Sequence, residues 1–199
     1  MKIEGRISWP LSTDLLTKLI ERDTSDLDLF ADLSNEGTDV EGVTDILRGK
    51  KPRVRISKHL SEQKSQNRLR TTLTHEYGHV RFHAPLFAAN TNPTLGTTEQ
   101  SPPKCKRQNI MCAPEYDWME WQAGYICGSV LMPVSAVRAL VRQSCTAANL
   151  DVPVSASSQT GMAIIRELME NFGVSEDAAR VRLLKLSLLT TKPPTQSLF

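Results

Sequence analysis

A chain of 199 residues with 40% hydrophobic residues, 23% charged residues and a formal net charge of +2 can bury a sizeable core. So even a balance demands neither a nucleic acid nor an acidic surface as partner. Met1 to Pro10 carry Lys2, Glu4 and Arg6 without an apolar run, and no later stretch approaches the roughly 18 apolar residues of a membrane span, so the expected compartment is the cytoplasm.

The first expected element is a helix. Leu11, Leu15, Leu16, Leu19 and Ile20 recur at helical spacing, and Ser12 or Thr13 supplies an N-cap. From Glu21 to Asp45 acids accumulate, and from Arg48 to Arg70 bases replace them. Such runs read as solvated faces, with a partner surface of paired acidic and basic patches as the alternative. After the turn residues Gly49, Lys50 and Lys51, the run Pro52-Arg53-Val54-Arg55-Ile56-Ser57 alternates basic and apolar residues, as a strand with one solvated face does.

Next comes Leu73-Thr74-His75-Glu76-Tyr77-Gly78-His79-Val80, which holds the pattern H-E-x-x-H in a stretch free of proline. Histidines four apart on a helix stand about 40° apart around the axis and one turn up, so both imidazoles reach one ion from the same face. Glu76 flanks that ion as a candidate general base, and zinc would activate a water and polarise the carbonyl under attack. The competing reading is a helix whose histidines merely face solvent or core. A catalytic zinc site usually takes a third protein ligand. His83 stands about 12 Å of helical rise beyond His75, too far for one continuous helix to bring both to one ion. It reads instead as a histidine near the helix end, where a positive charge suits the dipole. The metzincin pattern fails too, since Phe82 and Pro85 occupy the positions of its glycine and last histidine.

Residues 88 to 116 are rich in Asn, Pro, Thr and Gly and read as a long irregular connection, either a lid or a mobile segment. Of the four cysteines, Cys105 and Cys112 fall within it, and Cys127 and Cys145 lie beyond it. None forms a C-x-x-C, so reduced thiols are expected, with a thiol near the metal as the alternative. Tyr116 is a candidate donor to the oxyanion of a tetrahedral intermediate. Residues 117 to 133 then read as a second helix, with Glu120, Ala123, Gly124, Cys127, Gly128 and Leu131 on one side. The small residues among them would let another backbone approach closely. Glu120 is either the missing ligand or the capping-box partner of an N-cap Asp117, and spacing leaves both open.

A further helix is expected from Val134 to about Arg142, then a polar link through Ser155-Ala156-Ser157-Ser158. The C-terminal part reads as helix, turn, helix: Gly161 to Phe172, Gly173-Val174-Ser175, and Glu176 to Leu188. Gly173 suits a C-cap and Ser175 an N-cap. A DNA reader would use Arg180, Arg182 and Lys185. The leucines of the second helix favour a packed hairpin, so nucleic acid is not an expected partner. Thr190 to Phe199 reads as a loose tail.

Taken together, Arg70-Thr71-Thr72-Leu73-Thr74-His75-Glu76-Tyr77-Gly78-His79, Glu120-Trp121-Gln122-Ala123-Gly124-Tyr125 and Val130-Leu131-Met132-Pro133 resemble the ImmA/IrrE family of metallopeptidases. The resemblance runs from about Pro52 to Pro133, and more weakly to the C-terminus. It departs from the family pattern at Gly124, Ile126, Cys127 and Gly128, which touch packing. It implies that His75, His79 and Glu120 hold Zn²⁺ and that Glu76 activates water. It also implies a substrate, a helix-turn-helix transcriptional repressor cleaved at a specific site to relieve repression. The expected fold is α+β: a zincin-like metallopeptidase domain with a small sheet, an HExxH helix and a C-terminal helical hairpin. Its parts are an N-terminal region over 1–50, a metallopeptidase core over 51–145, the hairpin over 146–190 and the tail over 191–199. In a peptidase the strand at 52–57 would lie beside the zinc and pair with extended substrate; otherwise it is an edge strand guarded by its charges. The alternative function is a regulator that binds the repressor without cutting it and holds zinc as a structural element.

Overall fold

Ser12 caps the first helix, its side chain accepting from the Leu15 backbone N–H, and α1 runs over Thr13–Asp23 with Leu16 and Ile20 buried. Both the cap and the apolar face are those the spacing predicts. A computed structural model describes residues 9–37, 39–46, 50–63, 66–89, 104–106 and 118–192. The chain divides into two compact units, one of Leu11–Cys127 and one of Met1–Pro10 with Gly128–Phe199.

In the first unit, α1 is followed by β1 (Asp26–Ala31), a 3-10 turn (Ser34–Glu36), β2 (Val40–Asp45), β3 (Arg53–Ser57), the short α2 (Lys58–Ser61) and α3 (Gln66–Gly78). A π-helical turn (His79–His83), α4 (Ala84–Ala89), β4 (Lys104–Lys106) and most of α5 (Trp118–Leu131) complete it. The sheet order is β1-β3-β2-β4, with β1 parallel to β3 and the other pairs antiparallel. Thus β3 is an interior strand. Its hydrogen-bonding edges are taken by β1 and β2, so the expected pairing of 52–57 with a substrate backbone does not hold. Among the described residues the outer edge beside β2 belongs to β4.

The alternation in β3 does what it predicts. Val54 and Ile56 turn to one face and join Ile20, Leu60, Leu69, Leu73 and Val80 in the core, with Leu27, Leu29 and Tyr77 packed against it. Arg53 and Arg55 turn to the other face. There Arg55 bonds to Asp45 at 2.8 Å and Glu36 at 2.9 Å, and Arg53 to Asp26 at 3.0 Å. Arg68 reaches Glu41 at 2.6 Å. Acidic and basic runs therefore meet within one unit, where sheet pairing brings strands of opposite sign side by side.

The second unit holds α6 (Val134–Ala148), β5 (Val154–Ser155), α7 (Gln159–Phe172), α8 (Glu176–Lys185) and β6 (Leu189–Thr190), with β5 parallel to β6. α6 outruns its expected end at Arg142 and closes on Asn149 in the left-handed region at φ 52°. Gly173, also left-handed, ends α7, and Ser175 caps α8 by accepting from Ala178 N–H. The expected hairpin is present. Arg182, one of the residues a DNA reader would need, is buried and donates to the Met132 carbonyl at 3.1 Å. Residues 193–199 of the expected tail lie outside the described residues. Among the described residues no single helix is long and apolar enough to cross a membrane.

Gly161 sits in the first turn of α7, where the 155–158 turn folds over it. A Cβ there would collide with the backbone carbonyl of Ser155, which cannot swing aside as a side chain can. Gly161→Ala should lower stability by about 1–3 kcal/mol, read as a fall of the thermal midpoint of about 2–4 °C per kcal/mol. Met162→Ala at the half-exposed neighbouring position should leave that midpoint nearly unmoved.

Candidate metal centre

α3 delivers the first donors. Its last turn places His75 and Glu76 in the interior, both fully buried, and at His79 the α-ladder gives way to the π turn, in which Ala84 N–H bonds to His79 O. Such a turn takes one residue more than an α-turn and recurs at functional sites. His75 and His79 keep their i,i+4 relation, with ring centroids 5.0 Å apart.

Glu120 comes to them on α5. The buried stripe Glu120, Ala123, Cys127 follows helical spacing, and the close approach is made from the α3 side. A Cβ on Gly78 would stand 3.2 Å from Ala123 Cα, so glycine at this position lets the two backbones meet. Cys127 Sγ, 3.4 Å from Thr71 O, continues the contact. The outward face of α5 carries the stacked rings of Trp118, Trp121 and Tyr125.

The result is a compact donor set. His75 Nε2 lies 3.2 Å from Glu120 Oε2, His79 Nε2 lies 3.1 Å from Glu120 Oε1, and the two Nε2 atoms are 3.2 Å apart. Donors at about 2.0–2.1 Å from one tetrahedral ion stand about 3.3 Å from one another, so two imidazoles and a carboxylate at these separations fit one metal ion. All three side chains are buried, and among the described residues they form the group able to hold a metal. Burial pushes the Glu120 carboxyl up, but hydrogen bonds and charge from His75 and His79 outweigh it and hold it down at about 2. Glu120 thus faces the histidines as an anion. The alternative partner Asp117 lies outside the described residues, as do Tyr116, Cys112 and the side chain of Cys105.

Glu76 occupies a slot of its own. Thr44 on β2 donates to Glu76 Oε2 at 2.5 Å, and both groups are fully buried. Gly42, two residues earlier on the same strand, leaves the slot open: a Cβ there would stand 2.8 Å from Glu76 Oε1 and 2.9 Å from its Cγ. The expectation for His83 needs correcting. It is a buried side chain whose Nδ1 is 2.9 Å from His79 Nδ1 and whose Nε2 is 2.9 Å from Gln122 Oε1. Burial above all pushes its imidazole below the ordinary value, so it is no charged residue serving a helix dipole.

Spacing reasoning therefore reaches His75, His79 and Glu120, which the fold gathers, and Glu76, which lies buried against Thr44. It misses Gly42, Thr44 and Gln122. For Gln122 a signal existed: His75, His79 and His83 recur at four-residue intervals, and the ring beyond the pair needs a partner on whatever element brings Glu120.

A family profile described as peptidase M78, the IrrE N-terminal-like domain, matches residues 28–184. No curated protein matches the chain. The family suggests a metallopeptidase with a protein substrate, and the His75, His79 and Glu120 group suggests the metal ion.

Proposed function

This chain belongs to the IrrE N-terminal-like family, peptidase M78, and from that premise we propose that it is a zinc-dependent endopeptidase of zincin-like fold, cutting a helix-turn-helix transcriptional repressor at one site in the cytoplasm and so relieving repression. The observation that carries the reading is the cluster of His75, His79 and Glu120 donors within reach of one ion, with a buried carboxylate, Glu76, on the residue next to His75. Two imidazole nitrogens and a carboxylate are a donor set that suits zinc and leaves a fourth position open.

His75, His79 and Glu120 would hold the zinc, which would supply Lewis acidity towards the scissile carbonyl and acidify the attacking water. The chain's own residues do the rest. Glu76 takes the proton of that water and passes it to the leaving amine. Thr44, by donating to Oε2, fixes the carboxylate in its slot. Among the described residues β4 is the outermost strand beside the one that carries Gly42 and Thr44, and its edge is where an extended substrate would align.

The first test is metal content. Purified protein should carry about one zinc per chain, and Glu120→Gln, which removes the anionic donor while keeping shape, should carry well under one. Absence of zinc from the wild type after reconstitution would sink the reading. Incubation with candidate repressors and mass analysis of the fragments then checks for a single scissile bond.

A further inference from the structure

His79 has two ring nitrogens, and only one faces the metal. Nε2 stands in the donor trio, 3.2 Å from His75 Nε2 and 3.1 Å from Glu120 Oε1, while Nδ1 lies 2.9 Å from His83 Nδ1. Two imidazole nitrogens at that distance share one hydrogen, donated by one ring and accepted by the lone pair of the other. Its direction is decided at the far end. His83 Nε2 is 2.9 Å from Gln122 Oε1, and a carbonyl oxygen only accepts, so His83 carries its hydrogen on Nε2. A neutral ring with its hydrogen on Nε2 has a bare Nδ1. His79 Nδ1 must then be the donor, so Nε2, which faces Glu120 Oε1 at 3.1 Å, is the nitrogen left for a metal once its own hydrogen is released.

We propose that Gln122 and His83 are positioning residues that lock His79 in its metal-ligating tautomer. This rests on the metal reading above and deepens it. Turning the Gln122 amide over would reverse every bond in the chain and put a hydrogen on His79 Nε2, where it would block the ion. His75 has no such support: its Nδ1 finds no hydrogen-bond partner among the described residues. His83 follows His79 at the same four-residue interval that sets His79 against His75, and the two rings stand with centroids 4.8 Å apart. Gln122 arrives on the same helix as Glu120, so the docking of α5 sets both a ligand and the tautomer of another ligand.

The test reads tautomer and affinity on the full-length chain. In the metal-free wild type, the ¹⁵N shifts of the His79 ring should show a protonated Nδ1, as donation to His83 requires. His83→Phe keeps a ring and removes the acceptor, and Gln122→Met removes the far anchor. Either should give mixed His79 tautomers and a zinc affinity, by chelator competition, about 10–100-fold weaker. His83→Asn, whose side-chain oxygen can accept where Nδ1 did, should bind zinc close to wild type. A metal-free wild type with His79 Nδ1 bare would overturn the proposal without any variant. So would zinc binding by Gln122→Met and His83→Phe as tight as wild type, which removes this inference and leaves the metal reading standing. A wild type that takes up no zinc removes both.

Discussion

Glu76→Gln should fold, take up zinc and cleave nothing measurable, a loss of about 10²–10⁴-fold in the rate of peptide hydrolysis. The substitution is close to isosteric. Its amide can still accept from Thr44, which sits 2.5 Å from Oε2, so the slot formed by β2 is kept and only the proton acceptor is lost. Zinc content should stay at the wild-type level because the donors come from His75, His79 and Glu120. Cleavage in vitro and derepression in cells should be measured side by side. Loss of both supports proteolysis as the working step. Lost cleavage with derepression intact would favour the regulator that holds its repressor and uses zinc only structurally.

The second large effect concerns stability. Leu73→Ala should cost about 2–5 kcal/mol, a large share of the roughly 5–15 kcal/mol that holds a typical domain together. Leu73 is fully buried among Ile20, Val54, Ile56, Leu60, Leu69 and Val80, at the place where α1, β3, α2 and α3 meet. Helices and strands close over it from several sides, so the cavity cannot collapse easily. Urea unfolding should show a lower midpoint with the slope unchanged. Leu86→Ala, on an exposed residue of α4, should move the midpoint little. A Leu73→Ala midpoint equal to wild type would mean that this cluster is not the core it looks to be.

Much of the metal centre is written in local spacing, because helical periodicity alone brings His75 beside His79 and aligns Glu120 with Ala123 and Cys127. The support of the centre is not local. Thr44 lies far from Glu76 in sequence and touches it only because β2 pairs with β3 beneath α3, and a single threonine or glycine in an acidic stretch carries no sign of that. β1 was more legible than the acidic run suggests: Asp26-Leu27-Asp28-Leu29 alternates with period two, the same signal that marks β3. β2, with its glycine and acids, has only the valines at 40 and 43 to show for a buried face. The π turn has no composition of its own, whereas the four-residue interval from His79 to His83 already sets those two rings side by side.

The grip of β2 on Glu76 means that the H-E-x-x-H motif is not a transferable part. A chain begun after residue 50 would still encode both histidines and both glutamates. Glu76 would then project into a space without its hydroxyl donor and without the gap left by Gly42, and would be free to turn towards water or another cation. The candidate metal donors and the groups that hold Glu76 thus come from different stretches of the polypeptide.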